Sequence, residues 1–234
     1  MSGTQLFVIH FAGGSSYSFK PILSLLEDID IIPVELPGRG KRMAEPLLVD
    51  FEAAALDLFN KVLDSVEYPG FLLYGHSMGA SLAFKVCSML EEVGESPGHL
   101  IVSGNAGPGV KARQTKSLLA DKDFIEAIRK MGGIPAELLD NRDFLHFILP
   151  ILRADFHLSE NCQLNRIPPV NTPIWAIMGD EEENAGNITN WKAFTRAEFK
   201  DSILPGGHFF IDQHPEKMAE IITDCIKSSS SISK

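Results

Sequence analysis

The sequence predicts an α/β fold with a mostly parallel, doubly wound sheet and a helical insertion. Three observations carry this prediction. Short apolar runs alternate with stretches of helical periodicity, the pattern of βαβ units. The runs are apolar at nearly every position, as strands become when both faces of a sheet are covered. The alternation breaks once, over 105–172, where helical patterns follow one another with no good central strand between them.

The elements follow in order. Residues 5–11 read as a strand, and 18–26 as a helix with Phe19, Ile22, Leu23 and Leu26 on one face. A strand over 29–36 is ended by Pro37-Gly38. Asp50 is placed to cap a helix over 51–66. A strand over 71–75 runs into a helix over 79–92, and 100–104 is the next strand. The insertion holds helical patterns at 123–131, 136–139 and 142–152. Residues 174–178 form a strand, 201–204 a weaker one, and 215–227 a closing amphipathic helix. No internal repeat is present, and the serine run Ser228 to Ser231 reads as a frayed end.

Composition narrows the function. With 234 residues and 44% hydrophobic content, the chain supports one domain over 1–234 that contains the 105–172 insertion. A net charge of −10 argues against general binding to nucleic acid or anionic membranes, which need a basic surface. Cys87, Cys162 and Cys225 are odd in number and widely spaced, which fits neither a disulfide framework nor a metal site; Cys87 and Cys225 read as core thiols. There is no secretory signal pattern and no apolar run of ~18 residues, so the chain is expected to be a cytoplasmic monomer. The sequon Asn187-Ile188-Thr189 carries no meaning in that compartment.

Gly75-His76-Ser77-Met78-Gly79 is the strongest local signal. It fits the Gly-x-Ser-x-Gly nucleophile elbow, and it lies where that motif must lie, between a strand and a helix. Glycine two residues away on each side lets the chain turn sharply and hold the Ser77 hydroxyl above the sheet. A serine hydroxyl needs a base to take its proton. In elbows of this kind the chain order is serine, acid, histidine, so the base lies late. His208, in the glycine-rich loop Pro205-Gly206-Gly207-His208, is placed for that work. His214, next to Pro215, reads as a cap or surface residue, and His76 as structural. The oxyanion hole takes the N–H of Met78 and one from Phe11-Ala12-Gly13-Gly14, assigned to Ala12. The acid falls in the loop Gly179-Asp180-Glu181-Glu182-Glu183, where several carboxylates are available. In the insertion, Phe124, Ile128, Met131, Phe144, Phe147, Ile148 and Leu152 exceed what a surface excursion needs. They either pack the insertion onto the domain or also line a channel for an apolar acyl group, and the two readings are compatible.

The chain resembles the type II thioesterases, the editing enzymes of nonribosomal peptide and polyketide synthases, over nearly its whole length. The resemblance rests on His10-Phe11-Ala12-Gly13-Gly14, on Glu35-Leu36-Pro37-Gly38-Arg39-Gly40, and on the elbow. It continues in Met131-Gly132-Gly133-Ile134-Pro135-Ala136-Glu137-Leu138, in Leu149 to Phe156, and in Gly206-Gly207-His208-Phe209-Phe210. It implies an α/β-hydrolase fold with a mobile helical lid. It also implies hydrolysis of acyl thioesters from the phosphopantetheine arm of acyl or peptidyl carrier domains, with no metal and no bound cofactor. The family usually carries Gly-x-x-Asp in the acid loop. That register gives Glu182 here, while Asp180 is the only aspartate in the loop, so both stay candidates. Lys111, Arg113 and Lys116 form a basic cluster that could meet an acidic carrier helix. A small-molecule carboxylesterase or lipase would use the same triad, and a non-catalytic carrier-binding module is the third reading.

Overall fold

A computed structural model describes residues 3–110 and 115–232. Lys111 and Arg113 of the basic cluster lie outside the described residues. Six strands, β1 Gln5–Ile9, β2 Asp30–Val34, β3 Leu72–His76, β4 His99–Ser103, β5 Ile174–Gly179 and β6 Phe199–Leu204, form one sheet in the order β2-β1-β3-β4-β5-β6. Every pairing is parallel. Chain progression reverses between β1 and β3, which are paired neighbours. At such a switch point successive connections leave in opposite directions, opening a crevice at the strands' carboxyl ends.

Eight helices accompany the sheet among the described residues: α1 Lys20–Leu23, α2 Phe51–Ser65, α3 Met78–Glu92, α4 Asp121–Met131, α5 Ala136–Leu139, α6 Arg142–Asn161, α7 Phe210–Gln213 and α8 Pro215–Ile232. Successive strand residues feed opposite cores. Phe7, Ile9, Leu73 and Val102 pack with α2 and α3, while Leu6, Val8, Leu72, Tyr74 and Ile101 pack with α1, α7 and α8. This is why the strand runs are apolar throughout. Asp50 caps α2 by accepting the Ala53 N–H at 2.8 Å. Pro33 sits in β2, an edge strand, where its missing N–H disrupts no ladder beyond it.

The described residues of 105–172 contain α4, α5 and α6 and no strand. A third apolar cluster, centred on Phe124, Ile148, Leu152 and Phe156, holds them together. Several boundaries differ from expectation. α6 continues past Pro150 to Asn161, and Ala185–Phe194 forms a 3-10 segment that buries Trp191. The serine run is helical, with the Ser228 and Ser229 hydroxyls donating to the Asp224 and Cys225 carbonyls. No described helix is long and apolar enough to cross a membrane.

Candidate active site

Ser77 links β3 to α3 with φ 56° and ψ −115°. Among the described residues, only Asp28 is another non-glycine with positive φ. Such a backbone costs about 1–3 kcal/mol and persists only where its surroundings impose it. Here they do. The Ser77 N–H donates to the Ser103 carbonyl at 2.7 Å, and the Ser77 carbonyl accepts from Asn105 Nδ2 at 3.0 Å. A methyl group at Gly75 would collide with the Gly79 carbonyl, and one at Gly79 with the Ile9 carbonyl. The two glycines therefore let α3 press against β3 and β1 while the serine projects.

His208 lies in the loop that follows β6. Its Nε2 is 2.8 Å from Ser77 Oγ, and its Nδ1 is 2.6 Å from Glu182 Oε2. The side chains of His208 and Glu182 are only 17% and 8% exposed, so bulk water screens this chain weakly. The other Glu182 oxygen accepts the Gly179 N–H at 3.0 Å. Asp180, the competing candidate for the acid, is bonded elsewhere. Its Oδ1 accepts the Gly206 N–H at 2.9 Å, so it braces the loop that carries His208 and does not serve the imidazole. The longer glutamate side chain reaches where the aspartate, committed two residues earlier, does not.

The other histidines near the corner are bonded away from Ser77. His76 Nδ1 is 2.8 Å from Ser103 Oγ, and burial holds its pKa well below the usual histidine value. His214 Nε2 donates to the Pro205 carbonyl at 2.9 Å. Asn105 was not singled out from the sequence as a functional residue. Besides holding the Ser77 carbonyl, its Nδ2 lies 3.0 Å from Ser81 Oγ, and its Oδ1 accepts the Gly107 N–H at 2.9 Å. Its position two residues after β4, beside the elbow strand, is the only sequence signal for it.

Ser77, Met78, Ala12 and His208 line one cavity of about 270 Å³. Met78 begins α3, so its N–H lies at the positive end of the helix dipole. Of the seven insertion residues named from the sequence as packing or channel-lining, Ile128, Met131 and Leu152 line this cavity. Phe124 and Ile148 are buried within the insertion's own cluster, Phe144 packs against it, and Phe147 is 46% exposed. Leu152 and Phe156 on α6 complete the apolar wall, and Phe156 belongs to the part of that helix the sequence reading cut short. The described residues contain no His, Cys, Asp and Glu grouping suited to a metal ion. Burial pushes the Cys87 thiol up to about 12, which fits a packing role.

Known proteins of one family are similar to this chain. Residues 4–226 match the family model described as a thioesterase domain. The protein named linear gramicidin dehydrogenase LgrE, from Brevibacillus parabrevis, is 32% identical over 231 residues, covering 95% of this chain and 88% of the relative. The RedJ thioesterase of the prodiginine biosynthetic pathway in Streptomyces coelicolor superposes with a TM-score of 0.85 at 29% identity, covering 94% of this chain and 85% of that one. YbtT, a type II thioesterase from the yersiniabactin NRPS/PKS biosynthetic pathway, gives a TM-score of 0.86 at 29% identity, with 98% and 94% covered. With its serine corner, its sheet order and a family match over nearly its whole length, the chain belongs to the thioesterase family and is a type II thioesterase of α/β-hydrolase fold.

Proposed function

We propose that Ser77, His208 and Glu182 form a catalytic triad that hydrolyses acyl thioesters carried on the phosphopantetheine arm of acyl or peptidyl carrier domains. The observation that carries this reading is the unbroken chain from Ser77 Oγ through His208 to Glu182, with Ser77 and His208 in the wall of an apolar-sided cavity. His208 Nε2 takes the Ser77 proton as Oγ attacks the thioester carbonyl carbon. The tetrahedral oxyanion accepts the Met78 and Ala12 N–H groups, each such donor contributing about 10²–10³ in rate. The C–S bond then breaks, and the phosphopantetheine sulfur leaves with the proton from His208. Water, deprotonated by His208, attacks acyl-Ser77 and releases the acid. Glu182 holds His208 with its proton on Nδ1 and stabilises the imidazolium. None of these steps uses a cofactor or metal.

The helical region over 105–172 acts in this proposal as a lid whose inner face, with Ile128, Met131, Leu152 and Phe156, receives the acyl chain. Carrier domains of a nonribosomal peptide or polyketide synthase are the partners, in keeping with the pathway named for the yersiniabactin enzyme. The test is a hydrolysis panel of varied acyl groups, each supplied on a carrier protein and as the matching small-molecule ester, with Ser77→Ala alongside. Preference for the carrier-bound thioesters, lost in the folded Ser77→Ala variant, is expected. Faster turnover of free oxygen esters would replace this reading with a carboxylesterase, and undiminished turnover by Ser77→Ala would end it.

A further inference from the structure

Three stretches far apart in the chain, around Gly13, Arg39 and Asp155, meet in one buried network. Arg39 is 3% exposed and Asp155 0%. Arg39 Nη1 and Nη2 donate to Asp155 Oδ2 and Oδ1 at 2.5 and 2.8 Å, a bidentate pair. Asp155 Oδ2 accepts a further bond at 2.8 Å, from the Gly13 N–H. Asp155 is on α6 of the helical insertion, 142 residues along the chain from Gly13.

Gly13 follows Ala12, and the Ala12 N–H is the second donor of the proposed oxyanion hole. A peptide unit is planar and trans, so its C=O and N–H point in opposite directions. Fixing one end fixes the other. The Phe11–Ala12 unit is held at the Phe11 carbonyl, which accepts from the Gly14 N–H at 2.9 Å and from His10 Nδ1 at 2.9 Å. The proton is on His10 Nδ1 because Nε2 accepts the Leu36 N–H at 3.3 Å. The Ala12–Gly13 unit is held at the Gly13 N–H, by Asp155 alone among the bonds described. Both peptide planes that flank the Ala12 α-carbon are thereby clamped.

A buried ion pair is a poor source of stability, since well-packed apolar residues often replace one at no loss. Its bond to the Gly13 N–H points to a geometric role. We infer that Asp155, itself oriented by Arg39, is a positioning residue for the oxyanion hole, accepting the Gly13 N–H so that the Ala12 N–H stays aimed at the oxyanion formed on Ser77. This rests on the reading of Ala12 as a donor in the proposed function. It also makes the insertion part of the catalytic geometry, because α6 supplies the anchor.

The experiment compares two double variants, which avoid leaving either buried charge alone. Arg39→Met/Asp155→Leu removes the pair and the acceptor. Arg39→Met/Asp155→Asn removes the pair but keeps an oxygen for the Gly13 N–H. Turnover is followed with a p-nitrophenyl acyl ester, which needs the same oxyanion hole as a thioester. In Arg39→Met/Asp155→Leu, kcat is expected to fall about 10–100-fold with KM changed less than about threefold. Affinity for a trifluoromethyl ketone, whose adduct on Ser77 carries the oxyanion, falls in parallel. Arg39→Met/Asp155→Asn recovers both to within about fivefold of wild type. Independently of activity, hydrogen exchange at the Gly13 amide is slow in the wild type and speeds up only in the leucine variant. Wild-type kcat and ketone affinity in the leucine variant would overturn the inference, as would an asparagine variant no better than the leucine one, or a Gly13 amide that exchanges at the same rate in all three proteins. An enzyme that hydrolyses the p-nitrophenyl ester but ignores carrier-bound thioesters would refute the proposed function and leave this inference standing.

Discussion

Replacing Glu182 by glutamine changes one atom in the proposed triad, and the surrounding bonds fix how that atom must sit. The Gly179 N–H donates to Glu182 Oε1 at 3.0 Å, and His208 Nδ1 lies 2.6 Å from Oε2. In Glu182→Gln the amide oxygen is needed by Gly179, so the NH2 group faces His208 and donates to Nδ1. The imidazole proton then moves to Nε2, where it points at Ser77 Oγ, 2.8 Å away, and blocks proton uptake. The reverse amide orientation sets an NH2 group against the Gly179 N–H, costing about 2 kcal/mol for the unsatisfied donor, so only roughly one molecule in thirty holds the productive tautomer. Loss of the carboxylate's charge from the imidazolium removes more. Together they predict a fall in kcat of about 10³–10⁴, or about 4–5.5 kcal/mol of transition-state stabilisation. In Asp180→Asn the side-chain oxygen still accepts the Gly206 N–H, and kcat is expected to stay within about threefold of wild type. Steady-state hydrolysis of one acyl thioester, with melting curves to confirm folding, separates the two. The reasoning fails if Glu182→Gln keeps kcat within tenfold while Asp180→Asn loses the thousandfold.

Three further outcomes are expected. Gly79→Ala drives a methyl group into the β1 backbone and should destabilise the fold by about 3 kcal/mol or more; an unchanged melting temperature would contradict the packing described for the serine corner. Gly133→Ala should lower kcat/KM by about tenfold, because its methyl group displaces the Phe209 ring beside His208, whereas Gly109→Ala, equally strained at φ 85° but open to space, should leave kcat/KM unaltered; equal losses in the two would refute the contact. Burial, helped by the Arg39 charge and opposed by Asp155 and Glu35, holds His10 at a pKa of about 4, so the unfolded chain takes up its proton below about 6.5 while the folded one does not. Stability present above that pH is therefore lost as pH falls towards 4, by about 3 kcal/mol, and urea melts over this window should show a shallower slope in His10→Asn than in wild type.

The parts of the fold legible in the sequence are those set by local burial. β3, β4 and β5 declare themselves because both sheet faces are covered, and Asp50 announces α2 because its cap is made three residues away. What was not legible depends on distant partners. The end of α6 looks too polar for a buried helix, yet Asp155 is fully buried because Arg39, 116 residues earlier, neutralises it. The serine run looks like a solvated tail, yet Ser229 is buried against His99, 130 residues away. The insertion's aromatic residues have helical spacing whether they face a cavity or their own cluster, so spacing alone did not separate Ile128 and Met131 from Phe124 and Ile148.

The acid loop shows the same limit at the scale of one turn. Chain order directs the acid to the segment after β5, and that much is local. The choice between Asp180 and Glu182 depends on how closely that segment approaches the His208 loop, and a methyl group at Gly179 would collide with the Gly206 and Gly207 carbonyls. At such close approach Asp180 meets the Gly206 N–H, and Glu182, two residues on and one methylene longer, meets the imidazole. The two acids thus divide the work: Asp180 fixes where the histidine loop lies, and Glu182 fixes how its ring is turned. A single aspartate at the Glu182 position would have a shorter reach to the same nitrogen. The glutamate is therefore best understood together with the loop it spans, and exchanging Glu182 for aspartate without moving Gly179 should weaken the bond to His208 while leaving the Asp180 brace intact.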